Sequence, residues 1–345
     1  MRLLVLFGGR SAEHEISCIS AANVVASADP DRYEVVTVGI TAKGQWVAPA
    51  GNGNGDPLVA AGAPVDSDAL LASADVVFPL LHGPFGEDGT VQGLLELASV
   101  PYVGTGVLGS ALCMDKAMAK RALGAVGLPQ VRHVVLRDAA FDDAAFDETV
   151  LEHVGDELGF PLFVKPANLG SSVGVSRVSD EIELQRAVDL ARSYDEWVVF
   201  EEAVVGREIE CGLLGYPALR SSVPGEITPS RDLYDYEDKY KLGAADLLVP
   251  APLHPAVASQ VRKLAVKAGE ALRVEGMARV DFLYEEGGRG LLVNEVNTIP
   301  GFTSISMYPR MWEASGLQQS ELVDELVDAA LARYEHRSGR VGRLR

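Results

Sequence analysis

Apolar and polar positions alternate along the first hundred residues in a pattern of short buried strands and amphipathic helices. LLVLFG (3–8), YEVVTVGI (33–40) and ADVVFPLLHG (74–83) are continuous apolar runs that predict strands covered on both faces. EISCISAANVVASA (15–28) between the first two has helical periodicity, so this part predicts a parallel sheet with crossover helices. Residues 49–66 are rich in Gly, Pro, Asn and Ala and predict a surface loop. A helix is expected near 113–126, closed by Gly127 and Pro129, and the acidic, Ala-rich stretch 137–157 also predicts helix. From residue 160 the pattern becomes strand, loop, strand, helix, strand: FPLFVKPA, SSVGVSRV, ELQRAVDLARSY, EWVVFEEAV. A third region from about 206 holds the strands REIECGLLG, ARVDFLYEE and GLLVNEVN and the helix HPAVASQVRKLAVKAGEAL. One α/β unit followed by two α+β units is the expected fold class, with no internal repeat.

Composition narrows the function classes. The 345 residues suffice for two or three domains, and a hydrophobic content of 48% supplies their cores. No apolar run is long enough to span a bilayer, and MRLLVLFGGR reads as a first strand rather than a signal peptide. Cys18, Cys113 and Cys211 form no CxxC, which points to a reducing cytoplasm and away from disulfides or zinc. The net charge of −19 disfavours nucleic acid. Such a chain can still hold a small polyanion if local lysines, backbone N–H groups and Mg2+ supply positive charge.

Five stretches could carry chemistry. Glu295 and Asn297 in LLVNEVN share one strand face, and pairing across the hairpin signal EEGGRG could bring Asp281 in ARVDFLYEE to it. Two carboxylates and an amide oxygen on one strand face suit a hard cation, and an exposed face with ordinary polar side chains explains them equally well. Arg279 shares that face, as neutraliser of an anionic intermediate or as an ion-pair partner. NLGSSVG (168–174) is a small-residue loop whose N–H groups and hydroxyls could close on phosphates; a plain hairpin turn is the alternative. Lys165, inside FPLFVKP, requires an anionic partner if buried. Lys116 alone reads as a surface lysine, and EEAVVGREIE (201–210) as a hinge that reads an adenine edge or as an acidic connector. GGRSAEHEIS (8–17) predicts a helix beginning near Ser11 with Glu13 in its first turn, and His82 in LLHGPFGEDGTVQG ends a strand at the edge where ligands bind.

The order and company of SAEHEIS, HGPFGEDGTVQG, MDKAMAK, VKPANLGSSVGVS, GREIECGLLG, YDYEDKY, ARVDF and NEVNTIPGFTSIS closely resemble those of the D-alanine–D-alanine ligases of the ATP-grasp superfamily, from about residue 3 to 310. The resemblance implies three domains: a Rossmann-like unit over 1–110, a central ATP-grasp unit over 111–205, and a C-terminal one over 206–345 with a mobile lid at 230–246. It implies ATP held by Lys116, Lys165 and the loop Gly170–Gly174 with Ser171 and Ser172. Glu201, Glu202 and Val204 would frame the adenine and Glu208 the ribose; relatives often carry Lys where this chain has Glu202. Asp281, Glu295 and Asn297 would hold two Mg2+ or Mn2+ ions. Glu13 with Ser171 would take the first D-alanine, Gly301 and Ser306 a substrate carboxylate, and Arg279 with the Gly301 N–H the oxyanion. Tyr240 in the lid would favour a second D-alanine, Lys239 would reach that substrate or phosphate, and His82, substrate phosphate and water are candidates for the amine proton. The implied partners are ATP and two D-alanines, with no nucleic acid or membrane, in a cytoplasmic homodimer serving peptidoglycan synthesis. The rival readings are a relative making D-Ala-D-Ser or D-Ala-D-Lac, a non-catalytic nucleotide-binding regulator, and a dehydrogenase, which lacks GxGxxG.

Overall fold

The computed structural model describes residues 1–50, 58–141, 144–171, 173–228 and 246–340, with the side chains of 144–149 left out. Ser172, Lys239, Tyr240 and all of the expected lid except Asp246 lie outside the described residues.

The first stretch of chain contains β1 (Arg2–Gly8), α1 (His14–Ser27), β2 (Glu34–Ile40), β3 (Trp46–Val47), α2 (Ser67–Ser73), β4 (Val76–Pro79), α3 (Thr90–Leu97) and α4 (Val107–Met114). Its sheet runs β3-β2-β1-β4, with β1 parallel to both β2 and β4 and β3 antiparallel at the edge. Alternation along β1 feeds two cores. Leu3, Val5 and Phe7 pack with α1, and Leu4 and Leu6 pack on the other face with Val77 and Leu95. Full burial of each such side chain contributes about 1.5–3 kcal/mol.

The second stretch contains α5 (Lys116–Ala125), β5 (His133–Arg137), α6 (Ala144–Leu158), β6 (Leu162–Pro166), β7 (Ser176–Val178), α7 (Glu181–Arg192) and β8 (Trp197–Glu202). Its sheet has the order β5-β8-β6-β7 and is antiparallel throughout. The third contains β9 (Arg207–Gly215), β10 (Arg220–Thr228), β11 (Asp246–Leu248), α8 (Pro255–Ala271), β12 (Gly276–Glu285), β13 (Gly290–Asn297), α9 (Met307–Ala314) and α10 (Gln319–Ser338). Its antiparallel sheet runs β11-β10-β9-β12-β13. The last helix returns to the beginning of the chain: Leu322, Val323, Leu326 and Val327 of α10 share a core with Leu3, Val5 and Phe7. Among the described residues, no helix is long and apolar enough to cross a membrane.

Two expected helices differ in ways that matter for the site. The first does not begin near Ser11. Positive φ at Gly8 and Gly9 turns the chain, Ser11 Oγ donates to the His82 carbonyl at 2.6 Å, and the helix starts at His14 with Glu13 as its N-cap residue. The Glu13 carboxylate makes no capping bond and is therefore available to the cleft. The helix expected over 113–126 is two helices broken at Asp115. That carboxylate accepts the Met118 N–H at 2.9 Å and starts a new helix axis at Lys116.

Candidate active site

Two recesses adjoin between the three sheets and share Lys116, Leu169, Gly170, Ser171, Glu210 and Glu295. The larger is about 550 Å3, within the range of small-molecule sites, and is lined by Lys165, Glu201, Glu202, Val204, Glu208 and Asp281. The smaller is lined by Glu13, Glu87, Arg279, Asn297, Gly301 and Ser306. Glu295 and Lys116 sit where they meet. The sequence-predicted residues that are described thus gather around one divided cleft, with His82 outside its lining.

Register explains the acidic face. Glu210 of β9, Asp281 of β12 and Glu295 of β13 are cross-strand neighbours, and Gly212, Arg279 and Asn297 form the next row on the same face. The β13 strand carries a bulge between its pairings with Asp281 and Phe282, and this keeps both Glu295 and Asn297 opposite β12 residues of the cleft face. Arg279 binds both Asp281 oxygens at 2.7 Å and lies 3.1 Å from Glu210 Oε1. Burial alone would lower the Arg279 pKa; Asp281 and Glu210 more than offset it, so the guanidinium stays charged.

The residues fit a hard divalent cation. Asn297 Oδ1 is buried and accepts no hydrogen bond among the described residues, an expensive state for an amide oxygen unless a cation uses it. Among the described residues no three His, Cys, Asp or Glu side chains gather in metal-holding geometry. Arg279 is inserted between Glu210 and Asp281, so a cation held by Asp281 and Glu295 would take the Asn297 amide oxygen as its third protein ligand.

The lysines of the larger recess are engaged by partners within the chain. Lys165 does find the anion its burial requires: its Nζ is 2.6 Å from Glu201 Oε2. Glu201 also lies 2.9 Å from Lys120 Nζ, a residue the sequence reading missed although it stands one helical turn after Lys116. That Lys120 contact is a close ion pair that lacks good hydrogen-bond angles. Burial would raise the Glu201 pKa, but the two ammonium groups hold it far below the usual carboxylate range. Burial lowers the Lys165 pKa and Glu201 more than restores it, giving a net upward shift. The carboxylate expected to frame an adenine is therefore committed to two lysines. Lys116 Nζ donates to the Leu169 carbonyl, which ties the loop at 168–174 to α5, and burial lowers its pKa despite nearby Glu295.

Glu202 is also accounted for. It accepts the Arg132 N–H at 2.7 Å and Arg132 Nε at 2.8 Å, and it pairs with Arg289 in the β12–β13 turn. Val204 lies in 203–206 between β8 and β9, where neither strand's ladder continues. Ser306 Oγ accepts the Thr303 N–H at 3.0 Å, and a Cβ on Gly301 would come within 2.9 Å of that hydroxyl and push it from its partner. Ser171, with φ of 51°, reaches Glu13 across the cleft. Glu87 and Glu210 were missed as individuals although their motifs were read; Glu210 follows Glu208 by two along β9 and so shares its face.

The family model for the D-ala D-ala ligase N-terminus matches residues 2–105, and that for the D-ala D-ala ligase C-terminus matches 122–328. The chain is 48% identical over 337 residues to the D-alanine–D-alanine ligase of Solibacter usitatus, covering 98% of this chain and 97% of the relative. It is 46% identical to that of Thermoanaerobacter sp. strain X514, covering 97% and 98%. The solved D-alanine-D-alanine ligase of Coxiella burnetii superimposes with a TM-score of 0.82 at 36% identity, covering 98% and 96%. The VanG D-Ala:D-Ser ligase of Enterococcus faecalis gives 0.83 at 34%, covering 95% and 99%. With both family models matched in order around this divided cleft, the chain belongs to the D-alanine–D-alanine ligase family.

Proposed function

We infer that this chain is an ATP-dependent ligase that joins two molecules of D-alanine, and the observation that carries the reading is the meeting of the two recesses at Lys116, Gly170, Ser171 and Glu295. A nucleotide in the larger recess would present its terminal phosphate there to a carboxylate in the smaller one. Val204 and Glu208 line the nucleotide side, and Lys116 and Lys165 bring positive charge to it. Glu201 acts by holding Lys165 and Lys120 in place. Divided near residues 110 and 205, the chain has one sheet per unit, which supports a nucleotide gripped between two of them.

Asp281, Glu295 and Asn297 would hold Mg2+ or Mn2+, which neutralises phosphate charge when bound. Glu13, with Ser171 beside it, takes the ammonium of the first D-alanine. Its carboxylate oxygen attacks the γ-phosphorus, the bond to ADP breaks, and D-alanyl phosphate forms; positioning and charge neutralisation suffice for this transfer. The amine of the second D-alanine then attacks the acyl carbon, and Arg279 and the Gly301 N–H stabilise the oxyanion. Collapse breaks the carbon–oxygen bond to phosphate, and the phosphate or water carries off the amine proton. Ser306 contributes a hydroxyl to the second carboxylate. A lid over 230–246, with Lys239 and Tyr240, would exclude water from the acyl phosphate. We assign the enzyme to the cytoplasm, feeding peptidoglycan synthesis, and its resemblance to the family is the one support for a homodimer.

The likeness to a D-Ala:D-Ser ligase keeps one second reading in play. Phosphate release is measured with ATP and Mg2+ on D-alanine alone, with D-serine and with D-lactate, and products are identified by mass spectrometry. Dominant D-Ala-D-Ala is expected. A dominant mixed product overturns the specificity, and absence of D-alanine-dependent turnover overturns the ligase.

A further inference from the structure

The turn Ile299–Phe302, which carries Gly301, is held at both ends by side chains from the first hundred residues. At Ile299, Glu87 Oε1 accepts the N–H at 3.0 Å and His82 Nδ1 lies 2.9 Å from the carbonyl. At Phe302, Ser20 Oγ accepts the N–H at 3.2 Å and Asn23 Nδ2 donates to the carbonyl at 2.7 Å. Each end of the turn has both its backbone groups satisfied from a different part of the chain. Glu87 is itself fixed by the Gly83 N–H at 2.7 Å.

The pairs are joined to each other. His82 Nε2 is 3.1 Å from Ser20 Oγ. Only one proton arrangement satisfies every group. The Ile299 carbonyl can only accept, so Nδ1 carries the ring proton. The Phe302 N–H can only donate, so Ser20 accepts it and turns its own proton to Nε2. The circuit runs from Phe302 through Ser20 and His82 to Ile299, spanning the two residues around Gly301. Burial lowers the His82 pKa and favours this neutral ring. Both nitrogens are occupied, so His82 has no free lone pair for the proton of a second amine.

We propose that Ser20, Asn23, His82 and Glu87 are positioning residues that set the direction of the Gly301 N–H from outside its own sheet. This rests on the oxyanion role given to Gly301 above. An oxyanion donor must be aimed at the charge that develops only as the tetrahedral intermediate forms, and a displacement near 1 Å costs about 100-fold. The anchors should therefore govern the second chemical step and leave the first, phosphoryl transfer, nearly untouched.

The test separates those steps in the full-length enzyme. Positional isotope exchange within ATP in the presence of D-alanine reports phosphoryl transfer, and D-Ala-D-Ala formation reports ligation. Asn23→Asp keeps the shape of a half-buried side chain but sets an oxygen against the Phe302 carbonyl. Ser20→Ala breaks the circuit at its middle, and Ser20→Thr restores the hydroxyl. Dipeptide formation is expected to fall about 10- to 100-fold in Asn23→Asp and Ser20→Ala. Exchange should stay within about threefold of wild type, and Ser20→Thr should recover most of the ligation rate. Equal losses in both steps, or no loss in either, overturn the proposal. A wild type that shows neither exchange nor dipeptide instead overturns the ligase reading, and is read first.

Discussion

Ser171 donates its hydroxyl to Glu13 Oε1 at 2.5 Å, bridging two parts of the chain 158 residues apart. Glu13 can make this contact because α1 starts at the next residue and the carboxylate caps nothing. The bond joins the loop expected over the phosphates to the carboxylate expected to hold the first substrate.

The two residues should therefore act as a unit. A hydrogen bond to a charged group is worth about 1.5–3 kcal/mol, so Glu13→Ala should lower kcat/KM for D-alanine at least about tenfold. Ser171→Ala should have a smaller effect, and the double variant should lose much less than the product of the two. Steady-state kinetics of a double-mutant cycle measure the coupling; strict additivity would show that the contact has no part in substrate binding.

Asn297 separates a cation ligand from a structural amide by the sign of its effect on stability. Its Oδ1 is buried without a donor among the described residues, so Asn297→Ala removes a group that costs the metal-free fold. Thermal unfolding without divalent cation should leave the variant as stable as wild type, or more so. Added Mg2+ should stabilise wild type more than the variant, and the Mg2+ concentration for half-maximal activity should rise about tenfold. A variant that loses stability without metal would mark Asn297 as an ordinary packing residue.

Glu201 balances two lysines, the buried Lys120 and the half-buried Lys165. Removing it by Glu201→Ala leaves Lys120 and Lys165 facing each other without an anion and should cost about 3–5 kcal/mol in urea unfolding. Lys120→Met, which deletes one cation and keeps the volume, should cost much less, because Lys165 still pairs with the carboxylate. Folding holds the Glu201 pKa below its ordinary 4.5, so its stabilisation is present above that pH and is lost as pH falls below it. The wild type should thus lose stability in acid faster than Glu201→Ala.

Much of this cleft was legible in the sequence because its chemistry sits on strands and strand ends. Period-two spacing put Glu295 and Asn297 on one face, and the hairpin signal brought Asp281 opposite Glu295. The need of Lys165 for an anion was readable too, since a lysine inside FPLFVKP must pair wherever the strand takes it out of water. What sequence could not show were partners chosen by packing between distant segments. Lys120 looks like any helix lysine until α5 is laid against β8, and Ser20 and Asn23 look like polar positions of α1 until the turn after β13 reaches them. The β10 strand escaped notice because Pro224 and Gly225 interrupt its apolar pattern; the bulge between Ser221 and Pro224 accommodates them within the sheet. The return of α10 to the first core is a matter of topology that no local pattern encodes.

Glu202 joins Arg132 to Arg289. Burial would raise its pKa; the bonds from Arg289 and Arg132 outweigh this and hold it down. Glu202→Lys would put a third cation against two arginines, and is expected to lower stability by about 1–3 kcal/mol. The charge reversal Arg289→Glu in the same chain should recover part of the loss. Thermal unfolding of the single and double variants decides; a neutral Glu202→Lys would mean the arginines are held by other groups.

Glu87 gives the cleft a pH dependence of the opposite sense from Glu201. Burial, helped by nearby Glu13, pushes its pKa from 4.5 up to about 8, against the two backbone N–H groups that favour the carboxylate. A raised folded-state value means that the folded protein binds the proton more tightly than the unfolded chain. The resulting stabilisation is complete below pH 4.5, declines as pH rises, and is gone above about pH 8. Glu87→Gln abolishes this titration while keeping an oxygen for one of the N–H groups. The stability of wild type relative to Glu87→Gln should therefore fall between pH 5 and 8, by up to a few kcal/mol at one pKa unit per about 1.4 kcal/mol. Chemical denaturation of both proteins across that range measures the difference. A difference that stays flat would mean that Glu87 is ionised throughout and that its two N–H bonds outweigh burial.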